Sequence, residues 1–431
     1  GFSDDVAATP ANSFAERDTI FPNHDRERIG VGLDDFERIR VLGKGAFGKV
    51  TLVKLRGTDK IFAMKVVKKT HVVSRQQIER TMNERHVLSK SAHPFIVTMH
   101  YAFQTGKELV FVLDYCAGGD LYYHISRQGR LDANRAKFYT AEIAEALHHL
   151  HNHGVVYRDL KPENVMMDAD GHVQLVDFGL SKQGVTQAHT GASSYCGTAE
   201  YLAPEVMTAR SMRSYGTAID WWSLGALLYE MLTGLPPWYS RDRQKLFKGI
   251  REGELKFPKG LPPLACDILR KLLCRNPLNR LGARGGVQEI RVHPFFADID
   301  WAKLLQRKLV PPWIPQEDEE EMSLIYFDKV FTRLPVNSDS SPQANPPASM
   351  GASLGAEQHQ QQQGLHFQGF SYSQSTFHRP SSTDSMFAQY GFKSFSEACN
   401  AEGDESMGGV VGHHEAGQND TEGFTLGDMS L

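Results

Sequence analysis

The chain has 431 residues, of which 41% are hydrophobic and 23% charged, and its formal net charge is −4. This composition is typical of a globular protein with a large core, and the net charge gives no reason to expect nucleic acid or an anionic membrane as a partner. The five cysteines have neither disulfide-framework nor metal-ligand spacing, no apolar run reaches membrane-spanning length, and the start lacks the features of a signal peptide.

Composition and periodicity divide the chain into four segments. Residues 1–33 are polar without a sustained period and are expected to be flexible. Residues 34–296 are expected to form the globular domain, β-rich from about 34 to 113 and mainly helical from about 117 to 296. Within residues 297–372, Trp301 to Leu334 is aromatic-rich and punctuated by proline, whereas Asn337 to Gln363 is rich in Ser, Pro and Gln and is not expected to fold alone. Residues 373–431, rich in serine, glycine and acidic residues, are predicted to be disordered.

The first motif that carries chemistry is a glycine-rich turn, GKGAFGKV, from Gly43 to Val50. Its glycines permit a tight turn and let backbone N–H groups approach phosphate oxygens. The segment that follows reads as a strand rather than a helix, which disfavours a dinucleotide-binding loop, and the chain has no Gly-Lys-Ser/Thr of a Walker-type loop. We therefore expect the turn to cover the phosphates of a nucleotide.

Lys65 lies in the next apolar run, Ile61 to Val67, which is predicted to be a strand. A lone lysine there would ordinarily be a solvated strand residue, but an apolar strand accommodates a charge best when that charge meets a partner. The phosphates of ATP would be such a partner, and Glu84, in the helical run Gln76 to Leu88, would hold Lys65 in place. Taken alone, Glu84 would more often be a surface residue.

The most specific stretch is Tyr157 to Asn164, with the sequence YRDLKPEN. Asp159 is placed to accept the proton of a substrate hydroxyl, and Asn164 brings an amide that can ligate a metal on the same loop. After a short predicted hairpin, Asp177 of Asp-Phe-Gly adds a carboxylate. These hard oxygen ligands suit Mg²⁺, so the stretch predicts phosphoryl transfer from MgATP.

This ordered set of motifs resembles that of the eukaryotic protein kinases, over Phe36 to Phe296. Ala203-Pro204-Glu205 resembles the end of the activation segment, and Arg280 resembles the arginine that pairs with Glu205. The resemblance implies an α+β, bilobal fold with a small β-rich lobe, a larger helical lobe and a C-terminal extension. It also implies ATP and Mg²⁺ as cofactors. An inactive scaffold and a small-molecule phosphotransferase remain as alternatives.

The resemblance implies a role for each motif residue. The catalytic residues would be Lys65, Glu84, Asp159, Lys161 and Thr198, and the last two resemble those of serine/threonine kinases. The metal ligands would be Asn164 and Asp177. ATP would be bound by Leu42, Gly43, Gly45, Phe47, Gly48, Val50, Ala63, Lys65, Asp114, Cys116, Met166 and Phe327.

Tyr157 in place of the usual histidine, the run Tyr195 to Thr198 and the C-terminal extension resemble the AGC group of kinases, near the ribosomal S-six, RSK, Akt and protein kinase C branches. In the extension, residues 367–372 resemble the hydrophobic motif, in which Phe367 and Phe370 dock on the small lobe. The implied phosphorylation sites are Ser194 in the activation loop, Ser371 in the hydrophobic motif and Ser341 in a turn motif, for which Ser338 and Ser340 compete.

Asp120, Glu163 and Glu230 match AGC positions that bind arginine upstream of the target residue, although any one of them would more often be a solvated surface charge. The resemblance thus implies protein substrates with Ser or Thr near Arg or Lys, since carboxylates pair with guanidinium groups in a fixed geometry. It also implies an upstream kinase of the phosphoinositide-dependent type, recruited by the hydrophobic motif. We expect no nucleic acid partner, no direct membrane binding, a monomer, and a cytoplasmic or nuclear location with reduced thiols.

Overall fold

Alternating apolar and polar residues before Asp114 form an antiparallel sheet. The structure, a computed structural model, describes residues 31–45, 48–74, 77–192, 196–208, 215–316, 324–336 and 366–374. In chain order the first strands are Phe36–Lys44 (β1), Gly48–Leu55 (β2), Ile61–Lys68 (β3), Met99–Gln104 (β4) and Glu108–Asp114 (β5), in the spatial order β1-β2-β3-β5-β4. The predicted strands Val50 to Lys54 and Ile61 to Val67 lie within β2 and β3.

Two helices, Lys69–Ser74 (α1) and Ile78–Lys90 (α2), connect β3 to β4. The predicted helical run Gln76 to Leu88 thus corresponds to α2, which buries Glu84, Val87 and Leu88. One face of the sheet joins the core that continues through the large lobe, whereas the other face forms a separate apolar cluster around Phe36. The buried α2 face is what brings Glu84 toward β3.

The large lobe is mainly helical and also carries a two-stranded hairpin, Val165–Met167 (β6) and Val173–Leu175 (β7). Its two longest helices, Ala133–Asn152 (α4) and Ala218–Thr233 (α6), pack against each other. The residues of α6 are apolar on nearly all sides, as expected for a helix that crosses the centre of the lobe. In chain order the helices after β5 are Leu121–Gln128 (α3), Ala133–Asn152 (α4), Pro204–Thr208 (α5), Ala218–Thr233 (α6), Arg243–Glu252 (α7), Pro263–Leu272 (α8), Val287–Arg291 (α9), Trp301–Leu305 (α10) and Lys329–Thr332 (α11).

The C-terminal extension passes the segment between the lobes and returns to the small lobe. The Trp313 ring packs on His124, at 4.4 Å between centroids, and Tyr123 Oη donates to Ile325 O at 2.9 Å. A Cβ at Gly119, which has a φ of 72°, would overlap Tyr326, so a glycine is needed where the extension crosses. Farther on, α11 packs against β1.

The extension ends in a short strand, Tyr372–Ser373 (β8), which pairs with β4 as the sixth strand of the sheet. Gln374 N then donates to His100 O at 2.9 Å. Ordered backbone therefore continues past Tyr372, where the sequence placed the end of the hydrophobic motif, because β4 supplies the hydrogen-bonding partner. The predicted bilobal α+β fold is confirmed. Within the described ranges, no helix has both the length and the apolar character needed to cross a bilayer.

Candidate active site

The glycine-rich turn between β1 and β2 is shaped by close backbone contacts on one side and open space on the other. A Cβ at Gly48 would overlap the carbonyl oxygen of Val66, so only glycine fits there. At Gly43 and Gly45 an added Cβ would meet no atom within 4 Å. This open side suits backbone contact with phosphate oxygens. Phe47, predicted to bind ATP, lies outside the described residues.

Lys65 on β3 is the centre of a charged cluster between the lobes. Its Nζ lies 2.6 Å from Glu84 Oε1 and 3.7 Å from Asp177 Oδ1. Burial acts to lower the pKa of Lys65, but the charges of Glu84 and Asp177 outweigh it, so the pKa is raised and the ammonium stays charged. With two carboxylates facing one ammonium, the cluster has an excess of negative charge, which suits a metal cation.

Asp177 has the backbone conformation that turns its carboxylate into the cleft region, with a φ of 57°. The carboxylate accepts a hydrogen bond from Gly179 N at 3.4 Å, and the side chain is 54% exposed. The charge of Lys65 is the main cause that lowers the pKa of Asp177, while burial opposes it. An ionised, half-exposed carboxylate is a suitable ligand for Mg²⁺.

Asp159 lies in a hydrogen-bond network with three other predicted site residues. Its Oδ2 accepts from Lys161 Nζ at 2.8 Å and from Asn164 Nδ2 at 2.9 Å. Its Oδ1 accepts from Thr198 Oγ1 at 3.1 Å, and Lys161 Nζ also donates to Thr198 Oγ1 at 3.2 Å. Both carboxylate oxygens are thereby held in one orientation at the surface of the loop.

The Asn164 side chain has the orientation that a metal ligand needs. Its amide group donates one hydrogen bond to Asp159 O at 2.8 Å and one to Asp159 Oδ2. Because the NH₂ group makes these bonds, Oδ1 remains as an acceptor. The Oδ1 of Asn164 and the carboxylate of Asp177 therefore form the oxygen donor set that fits Mg²⁺.

The catalytic loop is anchored by Asp220, which was not among the predicted site residues. Its Oδ2 accepts from Tyr157 N at 2.9 Å and from His151 Nε2 at 2.8 Å, and its Oδ1 accepts from Arg158 N at 2.9 Å. Asp220 is fully buried on α6. The position of a carboxylate in the first turn of a largely apolar helix is a signal that could have identified it.

The residues predicted to enclose adenine lie on the two sides of the segment that joins the lobes. Val50 on β2 and Ala63 on β3 are half-buried, and Leu42 on β1 is buried. On the opposite side, two backbone hydrogen bonds of 2.8 and 2.9 Å tie Met167, next to Met166 in β6, to residues 118–119. The small-lobe sheet and the hairpin thus offer apolar surfaces to a planar base.

In the segment that joins the lobes, Asp114 and Cys116 differ in how they could contact a nucleotide. The Asp114 carboxylate contacts His100 Nε2 at 2.7 Å, so we expect Asp114 to meet a nucleotide through its backbone. The Cys116 side chain is 4% exposed, and burial raises the pKa of its thiol. The Phe327 ring stacks on Tyr115 at 5.9 Å between centroids, which brings the extension beside the predicted pocket.

The three predicted substrate-binding acids lie in different local settings. Asp120 Oδ1 accepts a backbone hydrogen bond of 2.7 Å at the start of α3, and Glu163 is exposed. Glu230 is 6% exposed and accepts a hydrogen bond from the Tyr201 hydroxyl. The Tyr201 contact was not predicted, because nothing in the sequence relates α6 to the residues after Thr198.

The three acids nevertheless interact electrostatically, and a fourth acid, Glu200, takes part in the interaction. Burial is the main cause that raises the pKa of Asp120, and the charge of Glu163 adds to it. Burial also raises the pKa of Glu230 to about 7, against the Tyr201 hydrogen bond and with the help of Glu163 and Glu200. None of the ion pairs between described residues involves these four carboxylates. The cluster therefore suits a cationic group from outside.

The end of the activation segment is fixed by a buried ion pair, as the motif predicted. Arg280 donates to Glu205 at 2.6 Å and 2.9 Å, one bond to each carboxylate oxygen, and also to Ala218 O at 2.8 Å. The Arg280 side chain is 1% exposed. Such a bidentate pair fixes the geometry of the chain on both sides of it.

The predicted activation-loop site, Ser194, lies outside the described residues, as does Ser341. Of the three cations predicted to pair with a phosphate on Ser194, Lys182 and Arg80 are exposed. The third, Arg158, donates to Leu180 O at 2.6 Å and from NH1 to Tyr215 Oη at 3.1 Å.

The hydrophobic motif docks on the small lobe, as the sequence predicted. Phe370 is fully buried, with its ring 5.1 Å from Phe111 between centroids, and Phe367 is 5% exposed. Gln104 holds the Phe367 backbone on both sides: Phe367 N donates to Gln104 Oε1 at 3.0 Å, and Gln104 Nε2 donates to Phe367 O at 2.8 Å. Lys69 Nζ donates to the same Gln104 oxygen at 2.9 Å. No sequence signal pointed to Gln104.

Arg85 on α2 fastens the residues that follow Phe370. Its Nε donates to Phe370 O at 3.2 Å, its NH2 donates to Ser371 O at 3.1 Å, and its guanidinium lies 5.6 Å from the centroid of the Tyr372 ring. The Ser371 residue is exposed. Because α2 also carries Glu84, the docked motif and the Lys65 cluster share one helix.

The two-lobed fold, with a sheet lysine and three loop residues converging at the junction of the lobes, defines the class of the kinases. The model of the family described as "Protein kinase domain" matches residues 36–296, and the chain belongs to this family.

Its relatives specify the branch. The chain is 48% identical over 300 residues to "Protein kinase 2" of Dictyostelium discoideum, a match that covers 70% of this chain and 61% of that protein. It is 45% identical over 303 residues to the "RAC family serine/threonine-protein kinase homolog" of the same organism, covering 70% and 66%, and 42% identical over 353 residues to human "RAC-beta serine/threonine-protein kinase", covering 81% and 70%. The chain thus spans less than two thirds of the first two relatives. The predicted AGC branch is confirmed.

Proposed function

We propose that the chain is a serine/threonine protein kinase that transfers the γ-phosphoryl group of ATP to hydroxyl groups of protein substrates. The observation that carries the proposal is the convergence of charged groups on one cleft: Lys65 lies 3.7 Å from Asp177, and Asn164 donates to Asp159 at 2.9 Å. An inactive scaffold would have no need of this set.

The chain's own residues account for the binding of ATP. Lys65, held by Glu84 at 2.6 Å, donates to phosphate oxygens, and the open side of Gly43 and Gly45 admits them to the backbone. Asn164 Oδ1 and the Asp177 carboxylate would hold Mg²⁺, whose positive charge would neutralise the charge that develops on the phosphate oxygens.

Asp159 is the proton acceptor of the proposed reaction. The substrate hydroxyl oxygen forms a bond to the γ-phosphorus, the bond from that phosphorus to the departing ADP oxygen breaks, and the hydroxyl proton passes to Asp159. Lys161, 2.8 Å from Asp159 Oδ2, supplies a positive charge beside the transferring group. Thr198 keeps Asp159 and Lys161 in register through its hydrogen bonds to both.

The preferred substrates would carry arginine upstream of the target serine or threonine. Asp120, Glu163 and Glu230, joined by Glu200, support this preference because no ion pair among the described residues compensates them. Burial and the charge of Glu163 raise the pKa of Asp120, and burial with the charges of Glu163 and Glu200 raises that of Glu230. A guanidinium group would relieve that repulsion and could form bidentate bonds. A peptide-array profile without preference for upstream arginine would contradict this specificity.

Activity would be raised by phosphorylation of Ser194, Ser371 and Ser341. A phosphate on Ser194 adds a charge of about −1.5 to −2, which Arg158, Lys182 and Arg80 would meet, and this would order the loop. Unchanged peptide kinase activity in Ser194→Ala would contradict this role.

A phosphate on Ser371 would lie next to Arg85, which already donates to Ser371 O at 3.1 Å. Ser341, in the turn motif, is the third proposed phosphorylation site. An upstream kinase of the phosphoinositide-dependent type would recognise the hydrophobic motif. Mass spectrometry of active protein that found none of these serines modified would contradict the scheme.

The remaining expectations from the sequence complete the proposal. The kinase domain would extend over residues 34–296, followed by an AGC extension to residue 372 and a tail to residue 431. The protein would act as a monomer in the cytoplasm or nucleus and take part in intracellular signalling.

The decisive experiment measures transfer of radioactive phosphate from ATP to a serine peptide with arginine three residues before the serine. We expect magnesium-dependent transfer by the wild-type chain. The matched control is Asp159→Asn, which should bind nucleotide normally and transfer nothing. A wild-type chain that binds nucleotide but is no more active than this control would be a scaffold, and the proposal would be wrong.

A further inference from the structure

Positive charge is concentrated in one part of the large lobe. Residues 241–284 contain twelve Lys and Arg but only four Asp and Glu, whereas the whole chain has a net charge of −4. The other residues together therefore have a net charge of −12. A local excess of this size on an acidic protein is an electrostatic feature that can select partners.

Much of this charge lies along α7 and immediately before its N-cap residue, Asp242. Lys245, Lys248 and Arg251 recur every three residues, so they project from one side of the helix, and Arg241 precedes the helix. All four side chains are exposed. We call Arg241, Lys245, Lys248 and Arg251 the α7 basic face. The opposite side of α7 buries Leu246 and Ile250 in the core.

The α7 basic face lacks internal compensation. Among the described residues, none of its four side chains takes part in a salt bridge. Of the two acidic residues beside it, Asp242 caps α7, because its Oδ1 accepts from Gln244 N at 2.8 Å and from Lys245 N at 3.3 Å. The other, Glu252, is exposed at the end of α7 and forms no salt bridge with another described residue. The four cations therefore face solvent with their charge available.

The helix that carries these cations is rigidly held. Arg275 Nε donates to Ile250 O at 2.8 Å, its NH2 donates to Gly249 O at 3.2 Å, and its guanidinium lies 5.2 Å from the centroid of the Trp238 ring. The Trp238 ring in turn stacks on the buried Trp222, at 5.8 Å between centroids. A rigid row of cations loses little backbone entropy when it binds an extended partner.

We propose that the α7 basic face is a docking site for an acidic segment of a protein partner. Charge complementarity identifies the partner: a segment with Asp or Glu at alternate positions presents carboxylates about 7 Å apart along one side, within reach of long Lys and Arg side chains. The contact does not involve the proposed active site, so it would add partner selection to a kinase whose cleft selects basic sequences.

Two other polyanions fit this surface less well. Among the large apolar residues that the structure describes as exposed, none lies within α7 and only Tyr239 lies close before Arg241, so the face offers little to insert into a bilayer and no row of aromatic rings on which successive bases could stack. The negative charge of the rest of the chain would also repel an extended polymer or membrane more than a short peptide.

Direct binding to the full chain tests the proposal without any measurement of kinase activity. The probe is a fluorescent twelve-residue peptide of alternating Glu and Ser, followed by anisotropy at low and moderate salt. We expect salt-dependent binding that falls about tenfold or more in the triple variant Lys245→Glu, Lys248→Glu, Arg251→Glu. The neutral triple variant with Gln at the same positions should lose less, and both should keep the wild-type melting temperature.

The matched control reverses three exposed small-lobe lysines, Lys60→Glu, Lys90→Glu and Lys107→Glu, which changes the net charge equally and should change binding less than about twofold. An equal loss in this control would show that net charge alone drives binding and would overturn the proposal. It would also be overturned if the peptide did not bind, or if phosphatidylserine vesicles or a single-stranded oligonucleotide bound to the α7 basic face more tightly than the peptide.

Discussion

Two residues beside the proposed reaction centre have a backbone conformation that side chains rarely adopt. Arg158 has a φ of 71° and Asp177 a φ of 57°. Each such conformation costs about 1–3 kcal/mol, and it persists only where the surroundings fix it. The conformation of Arg158 is fixed by Asp220, which accepts a hydrogen bond from the Arg158 backbone N–H at 2.9 Å. That of Asp177 is fixed by Gly179 N, which donates to the Asp177 carboxylate. The strain therefore lies next to Asp159 and at the metal-binding carboxylate, where orientation matters most.

Glu230 gives a prediction of pH dependence at the residue scale. Its pKa is raised to about 7, mainly by burial, so the folded state binds a proton that the unfolded state releases between about pH 4.5 and 7. The contribution of Glu230 to the free energy of unfolding therefore falls as the pH rises through that range. We expect Glu230→Gln to be more stable than wild type at about pH 8 and similar to it at about pH 5, as measured by urea unfolding.

The same change should weaken substrate binding, because a neutral amide cannot pair with arginine. We expect the KM for an arginine-containing peptide to rise at least about tenfold in Glu230→Gln, with a smaller change in kcat, and the wild-type KM to rise as the pH falls below about 7. The exposed Glu254→Gln serves as the control. An unchanged KM in Glu230→Gln would argue against contact with the substrate.

Sequence motifs predicted the identities of the site residues better than their surroundings. Lys65 meets Glu84, and Asn164 meets Asp159, as expected. The Asp159–Asn164 contact follows from the spacing within one loop, whereas the Lys65–Glu84 contact depends on how α2 packs against β3. The Glu230 contact with Tyr201 and the pKa it influences could not be predicted, because both depend on how α6 packs against the activation segment.

At the scale of elements, the docked hydrophobic motif links the C-terminal extension to α2. We expect Phe370→Ala to lower peptide kinase activity at least about tenfold, because it removes a fully buried ring that packs on Phe111. Gln104→Ala should also lower peptide kinase activity, but by a smaller factor, because it frees the Phe367 backbone and leaves both rings intact.

Addition of a synthetic peptide with the sequence of residues 366–374 should restore activity to Phe370→Ala, because the groove on the small lobe is unchanged. The exposed neighbour Gln368→Ala is the control and should behave as wild type. Full activity of Phe370→Ala without added peptide would mean that docking does not position Glu84.

The phenylalanine spacing predicted that this segment docks but not that it forms a strand. Tyr372 and Ser373 have no periodic pattern of their own, and only the exposed backbone of β4 makes them β8. By contrast, α4 and α6 lie in the region that was predicted to be mainly helical, because long periodic apolar runs determine a helix locally.

At the scale of the whole molecule, buried histidines should determine acid stability. Burial is the main cause that lowers the pKa of His93 and His149, the latter to about 3, and charge on neighbouring histidines lowers both further. The folded state binds fewer protons than the unfolded state below about pH 6.5, so stability present above that pH is lost as the pH falls toward 4. Each group contributes a slope of up to about 1.4 kcal/mol per pH unit. Glu230 and other buried acids whose pKa is raised by burial have the opposite effect: Asp120, Glu84, Glu142 and Glu145.

We expect the free energy of unfolding to fall as the pH is lowered from about 6.5 to 4.5. In His93→Asn the slope of that free energy against pH should be smaller, by the amount that corresponds to about one proton bound on unfolding. Asparagine keeps an acceptor for Phe95 N, which now donates to His93 Nδ1 at 3.2 Å. The exposed His189→Asn is the control. Equal slopes in the two variants would exclude His93 as a source of the acid sensitivity.

The pairing of β8 with β4 has a consequence beyond regulation. Without β8, β4 would be the outermost strand on that side of the sheet, with a row of unpaired N–H and C=O groups that could template a strand from another molecule. A chain whose hydrophobic motif has left its groove would therefore be prone to aggregate as well as less active. Solubility and catalytic competence should accordingly decline together whenever Phe370 is removed.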